Sequence, residues 1–133
     1  LSHINSLSRI AKEQFMNLDA TAVRNLELIK NMRDGSKRGT LLDVLDFTST
    51  SMGARKLRNW IECPLLDLSQ IRSRQEAVGE LLTNVQMRGN LQDKLKAIFD
   101  LERIVSRIEV GSANARDLVS LRSSRNKKLT KIL

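Results

Sequence analysis

Tyrosine is missing altogether, and the other aromatic rings are only Phe15, Phe47, Phe99 and Trp60. A stacking platform for unpaired bases, the usual companion of basic charge in nucleic-acid binders, therefore has little to be built from. Cysteine occurs once, at Cys63, so an intramolecular disulfide is ruled out. Histidine also occurs once, at His3, far along the chain from Cys63. A Cys/His zinc site would need carboxylates that this sequence does not cluster beside them. A Ser-His-Asp relay would rest on that same residue, without a positioned base. No apolar run approaches the roughly 18 residues of a membrane span. The first residues also lack the apolar core of a secretion signal. Metalloprotein, disulfide-stapled secreted domain and membrane protein drop out, and a reducing, cytoplasmic location is the expectation.

What is present describes one ordinary domain. The chain has 133 residues and weighs 15.1 kDa, with 41% hydrophobic and 29% charged residues, a globular composition. Lysine and arginine number 23 against 15 acids, a formal charge of +8. The excess is concentrated: residues 116–133 hold six basic residues and one acid, and the other 115 positions carry 17 against 14. Arg125, Lys127, Lys128 and Lys131 crowd this last stretch. Such charge permits salt-sensitive attraction to phosphate without making a specific binder, and it reads first as a solvated face.

Helical periodicity dominates from about residue 40 onward. Leu101, Ile104, Val105 and Ile108 form one stripe of a helix, with Asp100 placed to cap it and Gly111 to end it. Met87, Leu91, Leu95, Ile98 and Phe99 form a second stripe. Ile71, Val78, Leu81 and Leu82 form a third, entered through Asp67-Leu-Ser-Gln70, where the aspartate caps and the glutamine reaches back. A preceding helix starts near Thr50 or Ser51, carries Ala54, Leu57 and Ile61, and is broken by Pro64. A last helix opens at Asn114 with Asp117 in its first turn, turning Leu118, Leu121, Leu129 and Ile132 inward. Short connections make consecutive helices antiparallel neighbours, so the fold class is mainly α, an irregular antiparallel helical bundle. In the first 30 residues, Gln14–Leu18 and Val23–Ile29 read equally as short strands or as a frayed helix. A single core is expected to join the Leu57/Trp60/Ile61 face to the Leu101/Ile104/Ile108 stripe.

Several constellations invite chemistry and have a plainer reading. Gly35-Ser-Lys-Arg-Gly39-Thr40 suggests a phosphate loop, but three residues separate the glycines instead of four, and Thr40 follows Gly39 directly. It reads as a polar turn. Glu102 and Glu109 share a helical side as acid/base carboxylates sometimes do, but Arg103 and Arg107 lie beside them as ion-pair partners. Cys63 has no partner histidine and reads as a buried or half-buried thiol. Arg55, Lys56 and Arg58, after Thr48-Ser-Thr-Ser51, resemble the start of a DNA recognition helix. The only candidate preceding helix is Leu41–Phe47, and the cations read as solvated or paired. Gly53, inside a helix, costs about 1 kcal/mol relative to alanine and marks a close backbone approach. Trp60 reads as a core residue. No catalytic, cofactor-binding or metal-binding residue is assigned.

Six strings in one order carry a resemblance. Leu18-Asp-Ala-Thr-Ala-Val-Arg-Asn-Leu-Glu-Leu28 precedes Gly39-Thr-Leu-Leu-Asp-Val-Leu-Asp46. Ser51-Met-Gly-Ala-Arg-Lys-Leu-Arg-Asn-Trp-Ile-Glu-Cys-Pro-Leu65 follows. Then come Ile71-Arg-Ser-Arg-Gln-Glu-Ala-Val78, Asp100-Leu-Glu-Arg-Ile-Val-Ser-Arg-Ile108 and Gly111-Ser-Ala-Asn-Ala-Arg-Asp-Leu118. Together they resemble the core domain of the MutS family of DNA mismatch-repair proteins, from about residue 1 to 122. Leu1-Ser-His-Ile4 is similar to the stretch leaving that family's connector domain. After Leu121-Arg-Ser-Ser124 the family has further apolar residues and Leu-Pro, where this chain has Arg125, Lys128 and Leu129.

The resemblance implies that residues 1–17 close a connector segment packing on the core, and that 18–133 are a helical core domain cut from a longer protein. It further implies a structural relay without enzymatic activity of its own. The parent would be a homodimeric ATPase using ATP and magnesium and closing on mismatched duplex DNA, with connector, levers, clamp and ATPase as the core's partners. None of the family's nucleotide or mismatch motifs maps onto these positions. The alternative is a free-standing basic helical module that binds nucleic acid through the C-terminal helix.

Overall fold

A computed structural model describes residues 14–126. Among them are seven helices: α1 (Ala20–Asn25), α2 (Leu41–Leu45), α3 (Ser51–Glu62), α4 (Leu68–Thr83), α5 (Val85–Lys96), α6 (Leu101–Glu109) and α7 (Ala115–Asn126). The protein is mainly α. The first amides of a helix lack carbonyl partners, and a short side-chain oxygen just upstream satisfies one of them. Asp19, Thr40, Asn84 and Asp100 do this for α1, α2, α5 and α6. At α4, Asp67 Oδ1 accepts from the Ser69 amide at 2.8 Å, and Gln70 reaches back to its carboxylate, not its amide, at 3.1 Å. At α7 the box is reciprocal: Asn114 Oδ1 accepts from the Asp117 amide at 3.0 Å, and Asp117 Oδ2 from the Asn114 amide at 3.1 Å. α6 ends on Gly111, whose φ is +72°. The Gly111 amide donates to the Ile108 carbonyl and the Ser112 amide to that of Arg107, which closes the last turn. α3 stops at Glu62, before Cys63 and Pro64, as a residue preceding proline requires.

The chain divides into two compact units. The first comprises residues 14–48 and Gly53–Gly79 within the described range. Its core is Leu28, Ile29, Leu42 and Ile61, with Leu18, Val23 and Leu57 packed against it. α2 is tied to this core through backbone: the Leu42 amide donates to the Leu28 carbonyl at 3.0 Å, and the Leu41 amide to that of Glu27. Glu27 turns the chain with φ of +45°, an uncommon conformation for a residue with a Cβ. Its own carboxylate steadies the turn by accepting from the Met32 amide at 2.6 Å. Near the N-terminus no strand forms among the described residues, and of the two readings the helical one holds in part. Phe15 makes an isolated antiparallel bridge with Leu65, and residues 20–25 are α1.

The second unit comprises Ser49–Met52 and, within the described range, residues 80–126. Here α6 packs against α7. Ile104 is buried, together with the polar Asp117 and Ser124, and Met87, Leu91, Leu95 and Ile98 are half-buried in the predicted stripe, whereas Phe99 of that stripe and Val105 and Ile108 of the α6 stripe are exposed.

Four expectations are corrected. The buried cluster around Ile61 does not contain Ile104, which belongs to the other unit. On α4, Val78 is 65% and Leu82 69% exposed, which leaves only Ile71 and Leu81 of the stripe half-buried. On α7, Leu118 is exposed and the inward positions are Asp117, Leu121 and Ser124. Trp60 is on the surface rather than in the core. Leu129 and Ile132 lie outside the described residues.

Candidate functional site

Polar side chains tie this domain together at three places. The first is the loop from Asn31 to Thr40. Asn31 Nδ2 donates to Ser36 Oγ and to the Arg38 carbonyl, both at 3.0 Å, and Asn31 Oδ1 accepts from the Asp34 amide. Asp34 in turn accepts from the Ser36 amide, and these bonds hold its carboxyl below the usual aspartate range. The Gly39 amide donates to Asp43 Oδ2 at 3.0 Å. A phosphate cradle needs amides aimed outward at an empty anion site. In this loop the protein's own oxygens already take the Asp34, Ser36 and Gly39 amides, which removes the chemistry that the Gly35–Thr40 spacing suggested. The lysine of that string is engaged as well: Lys37 Nζ meets Asp46 Oδ2 at 2.5 Å. That hydrogen bond, with a second from Thr48, lowers the Asp46 carboxyl to about 2.

The second is the α3–α4 junction. The Arg74 guanidinium stacks over the Trp60 ring at 3.9 Å from its centroid, and Lys56 Nζ lies 6.0 Å from the same ring. Arg58 pairs with Glu62 one turn along α3 at 3.2 Å. A recognition helix needs its cations free to reach base edges, and a compact helix before it. Lys56 and Arg58 are engaged within the domain, and α2 is five residues long. Arg55 is exposed on α3, and Gly53 is half-buried in its first turn.

The third is the α6–α7 junction. Arg107 Nη1 donates to Asp117 Oδ1 at 2.9 Å, across the turn between the helices, and Asp117 is 9% exposed. Arg107 therefore serves α7, and Glu102 and Glu109 are exposed on α6. Ser124 Oγ, buried on α7, accepts from the Phe99 amide at 3.1 Å just before α6. These residues pin two helix ends. Among the described residues no cluster of His, Cys, Asp and Glu could hold a metal ion. No helix among them is long and apolar enough to cross a membrane.

The sequence matches a known domain family. The family described as MutS domain III covers residues 21–133. The chain belongs to the MutS domain III family. The "DNA mismatch repair protein MutS" of Symbiobacterium thermophilum is 52% identical over 124 residues, 93% of this chain and 14% of the relative. Those of Desulforamulus reducens and Pelotomaculum thermopropionicum are 48% and 49% identical over 96% and 93% of the chain. This chain thus spans about one-seventh of the length of these relatives. The MutS domain III match runs to residue 133, past the point where the string resemblance departs near Ser124.

Sequence reasoning missed how this domain III pins its helices. Asn114-x-x-Asp117 was legible as a cap, but its link to Arg107 is tertiary. Nothing marked Arg24, Lys30 and Cys63 as neighbours, and all three line one pocket of about 730 Å³ in the first unit. Cys63 is the half-buried free thiol expected. His3 and the tail residues Lys127, Lys128 and Lys131 lie outside the described residues.

Proposed function

We propose that this chain is a structural relay, the core domain of a mismatch-recognition ATPase, and that it catalyses nothing itself. Its membership of MutS domain III, at about half identity to relatives named for DNA mismatch repair, carries this reading. In it, residues 1–17 close a connector segment and 18–133 form the core between connector, levers, clamp and ATPase. The parent is a homodimer that uses ATP and magnesium and encloses mismatched duplex DNA.

The physical demand on such an element is two discrete packings whose balance both distant sites bias. Rigid parts with soft joints meet that demand. Lys37–Asp46 and Arg107–Asp117 stiffen the two units internally. Within the described residues the chain passes between the units after Thr48 and then inside α3 and α4, and the two crossings inside helices fall at glycines, Gly53 and Gly79. After proline, glycine is the residue least committed to a helix, which favours these positions as joints.

The test uses the parent protein carrying Gly79→Ala. Mismatch binding and basal ATP hydrolysis stay near wild type, while ATP-triggered release from a mismatch slows by about fivefold or more, the scale of a typical coupling energy. Unchanged release removes the joint. Hydrolysis of ATP, or discrimination of a G·T pair, by the 133-residue chain alone overturns the relay. Tight duplex binding by the chain that is lost on ending it at Leu121 would establish the basic-module alternative instead.

A further inference from the structure

The pocket in the first unit has a lining that no relay role requires. Its apolar lining is Leu18, Val23 and Ile29, with the more exposed Met32 beside them. Three cations border it, Arg24, Lys30 and Arg58, against one carboxylate, Glu62. Arg58 and Glu62 neutralise each other at 3.2 Å. Arg24 and Lys30 are exposed and pair with no described residue, so the rim keeps two uncompensated positive charges beside an apolar lining. At about 730 Å³ the space falls within the range of sites that enclose a few side chains or a small ligand.

We infer that this pocket is a docking site for an acidic, apolar segment of a partner protein. Its aliphatic or aromatic side chain packs on the Leu18/Val23/Ile29 lining while its Asp or Glu carboxylates meet Arg24 and Lys30. Charge complementarity selects this occupant. A free inorganic anion would have no use for the apolar lining. A nucleic acid would find phosphate partners at the rim but no ring to stack on, since no aromatic residue lines the pocket. Apolar anchors with a charged rim give both affinity and orientation. Cys63 lies in the wall as a half-buried free thiol, a built-in reporter of occupancy.

The experiment is a selection of random twelve-residue displayed peptides on the immobilised full chain, with the best peptide then made with a fluorescein label. Selected sequences should carry two or more Asp or Glu beside Leu, Ile or Phe. Arg24→Glu combined with Lys30→Glu should weaken the labelled peptide by about tenfold or more. Arg122→Glu, an exposed arginine on α7, should change it less than about twofold. Bound peptide should slow alkylation of Cys63 by N-ethylmaleimide. Circular dichroism and the thermal midpoint, unchanged in the double variant, separate lost docking from lost folding. No enrichment, enrichment without acids, undiminished binding by the double variant, or unprotected Cys63 overturns the inference. So does a twenty-nucleotide oligothymidine that binds in place of peptides, or a concentration-dependent dimer that the double variant abolishes. The relay is read in the parent's release from mismatches, so either reading can fail without the other.

Discussion

The two compact units are stabilised by different kinds of burial. The first buries the aliphatic cluster Leu28, Ile29, Leu42 and Ile61, gathered from α2, α3 and the chain between α1 and α2, and Leu65 after α3, with Thr40 as its one buried polar side chain among the described residues. The second, within its described residues, buries one aliphatic side chain, Ile104, beside the polar Asp117 and Ser124. Aliphatic burial is tolerant of direction, whereas a buried carboxylate is stable only while its donors stay in place. The first unit should therefore respond to lost volume, and the second to lost hydrogen bonds.

The largest expected effect attacks volume in the first unit. Ile61→Ala should cost about 3 kcal/mol in urea unfolding through lost transfer energy and the cavity left behind. A loss below about 1 kcal/mol would mean that this cluster is not the unit's core. Next comes the polar side of the comparison. Asp117→Ala removes the acceptor of both Arg107 and the Asn114 amide, and should cost about 2 kcal/mol. Asp117→Asn should recover part of this by restoring an amide acceptor at the cap. A junction indifferent to both changes would erase the distinction between the units.

Smaller effects sharpen it. Arg74→Gln should cost about 0.5–1 kcal/mol through loss of the stack on Trp60, and should shift the emission of this single tryptophan. Unchanged emission would show that the guanidinium does not sit on the ring in solution. The smallest effect is a pH dependence. The folded Asp46 carboxyl is lowered from 3.8 to about 2, so its contribution is fully present above the unfolded value and is lost as pH falls from near 4 through 2. Asp46→Asn should remove that part of the acid slope of the unfolding midpoint. Identical slopes for the two proteins would remove Asp46 from the account.

Local structure was open to reading in advance wherever a cap and a stripe coincided. Asp100 with Leu101, Ile104 and Gly111 marked α6, and Asp67 with Gln70 and Pro64 marked the passage from α3 to α4. Such signals are local, made between residues three to five apart, and survive without tertiary context. The reading failed where periodicity was taken for burial. Val78, Leu82 and Leu118 keep helical spacing and face outward, because spacing says which residues share a face and not whether anything covers it. Trp60 failed for a related reason: its size suggested the core, but an arginine from the next helix shields its ring at the surface.

Within the candidate site, the unsuitability of Gly35–Thr40 for phosphate could be read from glycine spacing alone. That its amides bind Asp34 and Asp43 could not. The order of motifs likewise sufficed to place the chain among MutS core domains. By itself, then, the amino-acid order determined where helices begin and end, the family, and the absence of a disulfide. Only tertiary structure decided that there are two units, that Arg107 reaches Asp117, and that Arg24, Lys30 and Cys63 share a pocket. The reason is the reach of the forces: capping and helical pitch act within one turn, while burial and ion pairing depend on which distant segments the folded chain brings together.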